Sequence, residues 1–111
     1  EGGTNLVLME YMACGKPVIA SYNSGHKDVL TEQNSLMLTE MRPVAFTANN
    51  QMTAVWDEPS LNETIEKLEF AYNNRDVSQA RACRAGEDLS RMTWKHTAQN
   101  FYRILKPGIE F

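Results

Sequence analysis

Few cysteines, no long apolar run and no surplus of basic charge mark this sequence, and each lack closes off a class of function. The two cysteines, Cys14 and Cys83, lie far apart with no metal-type spacing and no histidine cluster beside them. They are expected to be reduced thiols packing as small apolar residues, as in a cytosolic protein. Eleven Lys and Arg against fourteen Asp and Glu give a net charge of −3. The charges mix along the chain without a basic stripe, so nucleic acid is not an expected partner. The longest apolar stretches, residues 6–9 and 17–20, are far too short to cross a bilayer. The opening Glu1-Gly2-Gly3 has neither the basic start nor the apolar run of a secretory leader. With no initiating methionine either, the chain is expected to be an excised piece of a longer protein that starts in mid-loop. A dinucleotide fingerprint, a P-loop and a nucleophile elbow are all missing, and Ser21 has no Ser-His-Asp setting, so hydrolase chemistry has no support.

What remains suits an ordinary folded domain or part of one: 111 residues, 42% of them apolar. Thr4 is a suitable N-cap for an apolar helix that reaches Met12 or Ala13. Gly15 supplies its left-handed end, and Pro17 keeps the helix from resuming. Val18-Ile19-Ala20 is short, β-branched and without alternation, the pattern of a parallel strand covered on both faces. A loop through Ser24-Gly25, a helical turn at residues 26–30 and a second strand at Leu36-Met37-Leu38 follow. Residues 39–57 are hard to read. Residues 43–47 suit a strand or extended edge, and Asn49-Asn50 a turn. Ser60 and Glu63 read as a capping box before Leu61, Ile65, Leu68 and Tyr72 at helical spacing. Asp76 is expected to cap a further helix with Val77, Ala80, Ala85 and Leu89 inward. Thr93 starts a last helix whose Trp94, Ala98, Phe101 and Leu105 read as core. The fold class is therefore α/β, a small parallel sheet with amphipathic covering helices. Two or three strands alone leave an open edge, so further strands are expected upstream.

The first ten residues carry the chemistry. A helix N-terminus presents unsatisfied N–H groups and a partial positive charge, which suit phosphate. Gly2 and Gly3 allow close backbone approach to a ligand, and in open α/β sheets ligands bind outside the strand ends. Glu1 and Glu10 add carboxylates that accept hydrogen bonds from paired hydroxyls. Each residue alone is more often unremarkable: a solvated loop glutamate, or an exposed helix position.

In combination with Met12-Ala13-Cys14-Gly15-Lys16-Pro17-Val18-Ile19-Ala20-Ser21, the segment 1–38 resembles the donor-binding half of a retaining glycosyltransferase of the GT-B fold, family 4 type. Ser24-Gly25 and Asp28 match the loop and acidic position that follow in that family, and Thr93-Trp94 resembles the opening of its final helix. The resemblance implies a Rossmann-like parallel sheet, with residues 1–111 forming the C-terminal portion of a nucleotide-sugar-binding domain. It implies that Glu1 is catalytic, facing the donor sugar as the glycosidic bond breaks. Gly2 belongs to the donor-binding loop, and the backbone amides of Gly3, Thr4 and Asn5 meet sugar hydroxyls. Those of Asn5 and Leu6 meet the diphosphate, and Glu10 grips the ribose. Eight residues separate the two glutamates here where the family usually has seven, which reads as one extra loop residue at Gly3 or Thr4.

The implied reaction is hexosyl transfer from a nucleotide-diphosphate donor to a glycan, lipid or small-molecule acceptor. No cofactor and no metal are expected. Location is expected to be cytoplasmic, with peripheral membrane contact left open through an N-terminal domain outside this chain. Three rivals stand beside this reading: a non-catalytic nucleotide-sugar-binding module, a GT-B-like sugar epimerase and a purely structural α/β subdomain. Among other residues, His26 either touches ligand or caps the short turn, His96 and Lys16 read as surface, and Trp56 fits either core or ligand.

Overall fold

The computed structural model describes residues 3–108, with four helices, two small sheets and two 3₁₀ turns. Helix α1 (Leu6–Ala13) starts one residue later than Thr4 would place it. Asn5 is the N-cap, and its Oδ1 accepts from the Leu8 amide at 3.0 Å. Asn and Thr both serve there, but only the residue immediately before the first turn can reach the third helical amide. The helix ends as the glycine and proline require. Gly15 has φ +66°, its N–H donates to the Met12 carbonyl, and the Lys16 N–H donates to that of Tyr11. This reciprocal pair satisfies two of the last carbonyls.

The chain then enters β1 (Ile19–Ser21), passes a 3₁₀ turn (Ser24–Asp28) and returns as β2 (Leu36–Leu38). The two strands are parallel, with Ile19 opposite Leu36 and Ser21 opposite Leu38. The expected parallel element is thus present as two strands, and β1 pairs with no other strand among the described residues. The core lies between this sheet, α1 and α3 (Arg75–Ser90). It consists of Leu8, Met12, Leu30, Ala85 and Leu89, with Val18, Ala20 and Met37 packed against it.

Helix α3 turns inward through Ser78, Ala82, Ala85 and Leu89, not through Val77, which is exposed. Small residues on that face let α1 approach: the Gly86 position lies against the Ala13 carbonyl. Asn74, not Asp76, is the N-cap of α3, and it also ends the preceding helix. Neither cysteine is packed as expected; both are free thiols at the surface.

The segment that resisted reading is a β-hairpin, β3 (Met41–Ala48) and β4 (Gln51–Pro59), antiparallel. Asn49 and Asn50 form its two-residue turn with φ +52° and +60°, the mirror-image turn that matches strand twist and that Asn tolerates. A register shift after Phe46 leaves Thr53 unpaired, and the Thr53 hydroxyl donates to the Phe46 carbonyl. The hairpin and the last helix project, giving extents of 55 × 48 × 18 Å and a radius of gyration of 17.8 Å. A compact chain of this length would have about 13 Å.

Helix α2 (Leu61–Asn73) is capped by Ser60 as expected, but Glu63 does not complete a capping box. Its carboxylate instead accepts from the Thr39 amide and hydroxyl and from the Glu40 amide, at 2.8–3.2 Å. That docking turns the Glu63 side of α2 inward and leaves the stripe Leu61, Ile65, Leu68 and Tyr72 exposed, Leu61 by 73%. Helix α4 (Trp94–Leu105) begins at Thr93 as expected. Its Trp94, Phe101 and Leu105 are likewise exposed and not core, Trp94 by 90%. Helical spacing reveals that an apolar stripe exists; only a neighbouring surface makes it core.

Candidate functional site: a cleft at the N-terminus of α1

The first turn of α1 opens on a cleft of about 570 Å³, within the range of small-molecule sites. Thr4, Asn5, Leu6 and Val7 form one wall. Ser21, at the end of β1, Asn23 and residues 24–26 of the 3₁₀ turn continue the lining, and Trp56 and Asp57 of the hairpin complete it. The position outside the carboxyl end of a parallel strand is where open α/β sheets receive ligands.

Hydrogen bonds fix this wall. His26 Nδ1 lies 2.8 Å from the Ser21 carbonyl oxygen, which only accepts, so the ring proton sits on Nδ1. His26 Nε2 then accepts from Asn5 Nδ2 at 3.2 Å, which leaves Asn5 Oδ1 for the Leu8 amide. A chain of three bonds thus ties the sheet, the 3₁₀ turn and the helix N-terminus together. The third amide of α1 is capped by Asn5, while the amides of Leu6 and Val7 have no acceptor within the helix. Both residues line the cleft, so the partial positive charge of α1 is directed into it.

The approach to the helix is packed against the 3₁₀ turn. A Cβ built on Gly25 would collide with the Gly3 carbonyl, a backbone atom that cannot swing aside, whereas one on Gly3 would meet nothing within 4 Å. Gly25 is therefore required by close approach, and Gly3 is not. Ser24 beside it adopts φ +49°, a left-handed conformation that costs a non-glycine residue about 1–2 kcal/mol.

Of the residues singled out from sequence, Thr4, Asn5 and Leu6 lie in the cleft wall, and Gly3 lies against Gly25. Glu10 stands one turn beyond Leu6 on the same side of α1, exposed and beyond the residues that line the cleft. Glu1 and Gly2 lie outside the described residues. Lys16 and Asp28 do not line the cleft. His26 proves to be both cleft-lining and a support for Asn5. Trp56 and Asp57 were not expected to be a pair at the site. The signal that would have found them is the Asn-Asn two-residue turn, which folds the unread segment back into a ribbon. The described residues contain no group of three or more His, Cys, Asp or Glu able to hold a metal ion.

Two carboxylates brace the surroundings. Burial would raise the Glu63 carboxyl, but the amides of Thr39 and Glu40 and the Thr39 hydroxyl outweigh it and hold it below the usual glutamate range. The same balance lowers Asp88: burial raises it, while hydrogen bonds from Asn34 and Arg84 outweigh that effect. Asn34 is itself buried, accepting from the Thr31 amide and donating to the Val29 carbonyl and to Asp88. This network pins the loop before β2 onto α3.

Fold and site together define an α/β protein with a ligand-sized cleft at a helix N-terminus. Over residues 1–101 the chain matches the model of a family described as "Family 4 Glycosyltransferase in conflict systems". The chain belongs to that family, and its activity class is accordingly glycosyl transfer, with nucleotide-sugar donors and acceptors as the general substrates. No curated protein and no solved structure matches it. No helix among the described residues is long and apolar enough to cross a membrane.

Proposed function

We propose that this chain is the C-terminal, donor-binding portion of a retaining GT-B glycosyltransferase that transfers a hexosyl group from a nucleotide-diphosphate sugar. The observation that carries the reading is the opening of the α1 N-terminus onto a ligand-sized cleft at the end of a parallel strand. In this proposal the amides of Asn5, Leu6 and Val7 receive the diphosphate, those of Gly3 and Thr4 meet sugar hydroxyls, and Glu10 reaches the ribose. Glu1 faces the donor sugar and stabilises positive charge as the glycosidic bond breaks. Catalysis then rests on positioning and on charge stabilisation of an oxocarbenium-like transition state. The leaving diphosphate is neutralised by helix amides and by basic groups of the parent protein, without a required metal.

The proposal extends to the rest of the parent. A Rossmann-like sheet continued past the free side of β1 would cover an apolar groove lined by Val7, Leu8, Tyr11 and Val18. A further domain would supply the acceptor site. Two free thiols fit the cytoplasmic location that belongs to the same proposal.

Calorimetric titration of the parent protein with UDP, GDP and ADP and their hexose conjugates tests the reading. Saturable binding of one series is expected, and its weakening by Asn5→Ala. The absence of binding in every series overturns it. Glu1→Ala is expected to lower kcat far more than donor affinity; the reverse would indicate a binding module without catalysis. A polypeptide limited to these residues is expected to show no turnover.

A further inference from the structure

We propose that His26 is a positioning residue whose neutral imidazole holds the α1 N-terminus in its donor-binding form, so that protonating the ring weakens donor binding. The proposal rests on the donor reading above and adds to it a pH response carried by a residue outside the helix.

Three donors and three acceptors are matched one to one around the ring. Nδ1–H donates to the Ser21 carbonyl at 2.8 Å, Asn5 Nδ2 donates to Nε2 at 3.2 Å, and the Leu8 amide donates to Asn5 Oδ1 at 3.0 Å. An imidazolium donates from both nitrogens. Its Nδ1–H keeps the Ser21 carbonyl, but its Nε2–H meets the Asn5 amino group, donor against donor. Turning the Asn5 amide over repairs that contact and presents the amino group to the Leu8 N–H, which removes the cap. No orientation of Asn5 satisfies both the charged ring and the helix.

The loss reaches the ligand because the cap holds the first turn of α1, whose Leu6 and Val7 line the cleft. The new positive charge does not make up for it by direct contact. Both ring nitrogens are engaged with protein atoms, and a charge on a partly exposed ring is screened by solvent and salt. Few charged groups surround the ring among the described residues. Lys27 and Asp28 stand on its own turn, with the Lys27 ammonium 5.7 Å from the centre of the Tyr22 ring. Asp57 of the hairpin lines the same cleft, and Glu10 on α1 lies beyond it. On β1 the ring meets the Ser21 carbonyl. The other histidine, His96, is on α4 against the Arg91 carbonyl and does not line the cleft.

The test measures affinity calorimetrically from about pH 8 to about pH 5.5, which spans the ordinary titration of histidine. The parent protein is compared with its His26→Gln and Asn5→Asp variants. UDP-, GDP- and ADP-hexoses are the probes, because a diphosphate esterified at both ends keeps its charge over this range, whereas a terminal phosphate takes up a proton near pH ~6. The parent is expected to lose about fivefold or more in affinity toward acid, the equivalent of one helix cap. His26→Gln, which cannot take up a proton there, is expected to stay flat within about twofold. Asn5→Asp offers acceptors to both the charged ring and the Leu8 amide. Its affinity, lowered at the alkaline end by the added carboxylate, is therefore expected to rise toward acid. A parent profile that is flat or rises in acid overturns the assignment. So does an acid loss that persists in His26→Gln, or an Asn5→Asp profile that falls as the parent's does. A parent that binds no conjugate at any pH overturns the donor reading and this assignment with it; binding without the pH response removes only the role of His26.

Discussion

Glu63 offers the sharpest physical test of how the hairpin is held. The residue is 6% exposed, and its carboxylate accepts from two amides and a hydroxyl at the junction of β2 and β3. Hydrogen bonds to a charged group contribute about 1.5–3 kcal/mol each in favourable cases. Thr39 and Glu40 are exposed enough for water to replace part of this. Glu63→Ala is therefore expected to cost about 2–3 kcal/mol, and Glu63→Gln, which keeps one acceptor, about 1 kcal/mol. For a domain near this size the Ala variant should melt about 8–12 °C lower.

The pH dependence has a definite sign. The folded carboxyl is held below its ordinary value of 4.5, so the unfolded chain takes up the proton first as pH falls. The stability gap between the parent and its Glu63→Gln variant is full above that value and closes as pH drops through the lowered folded value. Thermal melts of the two proteins from neutral pH into this acid range measure it. A gap that stays constant or widens in acid would refute the reasoning, as would an Ala variant that loses less than about 0.5 kcal/mol, the scale of an ordinary surface substitution.

Gly25→Ala is expected to displace the loop before α1 and to weaken diphosphate binding by about tenfold or more, because the new Cβ meets the Gly3 carbonyl. Gly3→Ala, with open space at its Cβ, should bind within about threefold of the parent; equal losses from both would contradict the close approach. Asn50→Gly should raise stability by roughly 0.5–1 kcal/mol, since Asn50 has φ +60° and glycine accepts that conformation without strain. Urea denaturation measures it, and a destabilised variant would dispute the turn geometry.

What could be read from the chain was local. Gly15 and Pro17 stop α1 wherever the helix sits, and Ser60 and Thr93 cap α2 and α4 through bonds within a single turn. The apolar triplets at the two strands needed no more than their own composition. The hairpin was obscured because its ribbon is exposed on most of both sides, so it carries no clean alternation, and the unpaired Thr53 breaks the register. Proline at position 43 also argues against a strand, although an edge strand tolerates it. Glu63 was misread because a capping box and a tertiary anchor use the same residue at the same spacing. The Asn5–His26–Ser21 chain links separate elements, which no local pattern reveals. At the site itself, the helix N-terminus that opens on the cleft was legible, while the hairpin's share of the lining was not.

The exposed apolar residues fall into two kinds, and the difference bears on what each surface meets. On α2 and α4 they form unbroken stripes, Leu61, Ile65, Leu68 and Tyr72 on one and Trp94, Phe101, Ile104 and Leu105 on the other. Contiguous stripes of that sort suit cover by protein, since only a large apolar surface can match them. On the hairpin, Phe46 and Trp56 cover each other at 4.2 Å, so each ring already has an apolar neighbour and only part of its surface is left open. The hairpin rings therefore do not call for protein cover in the way the helix stripes do.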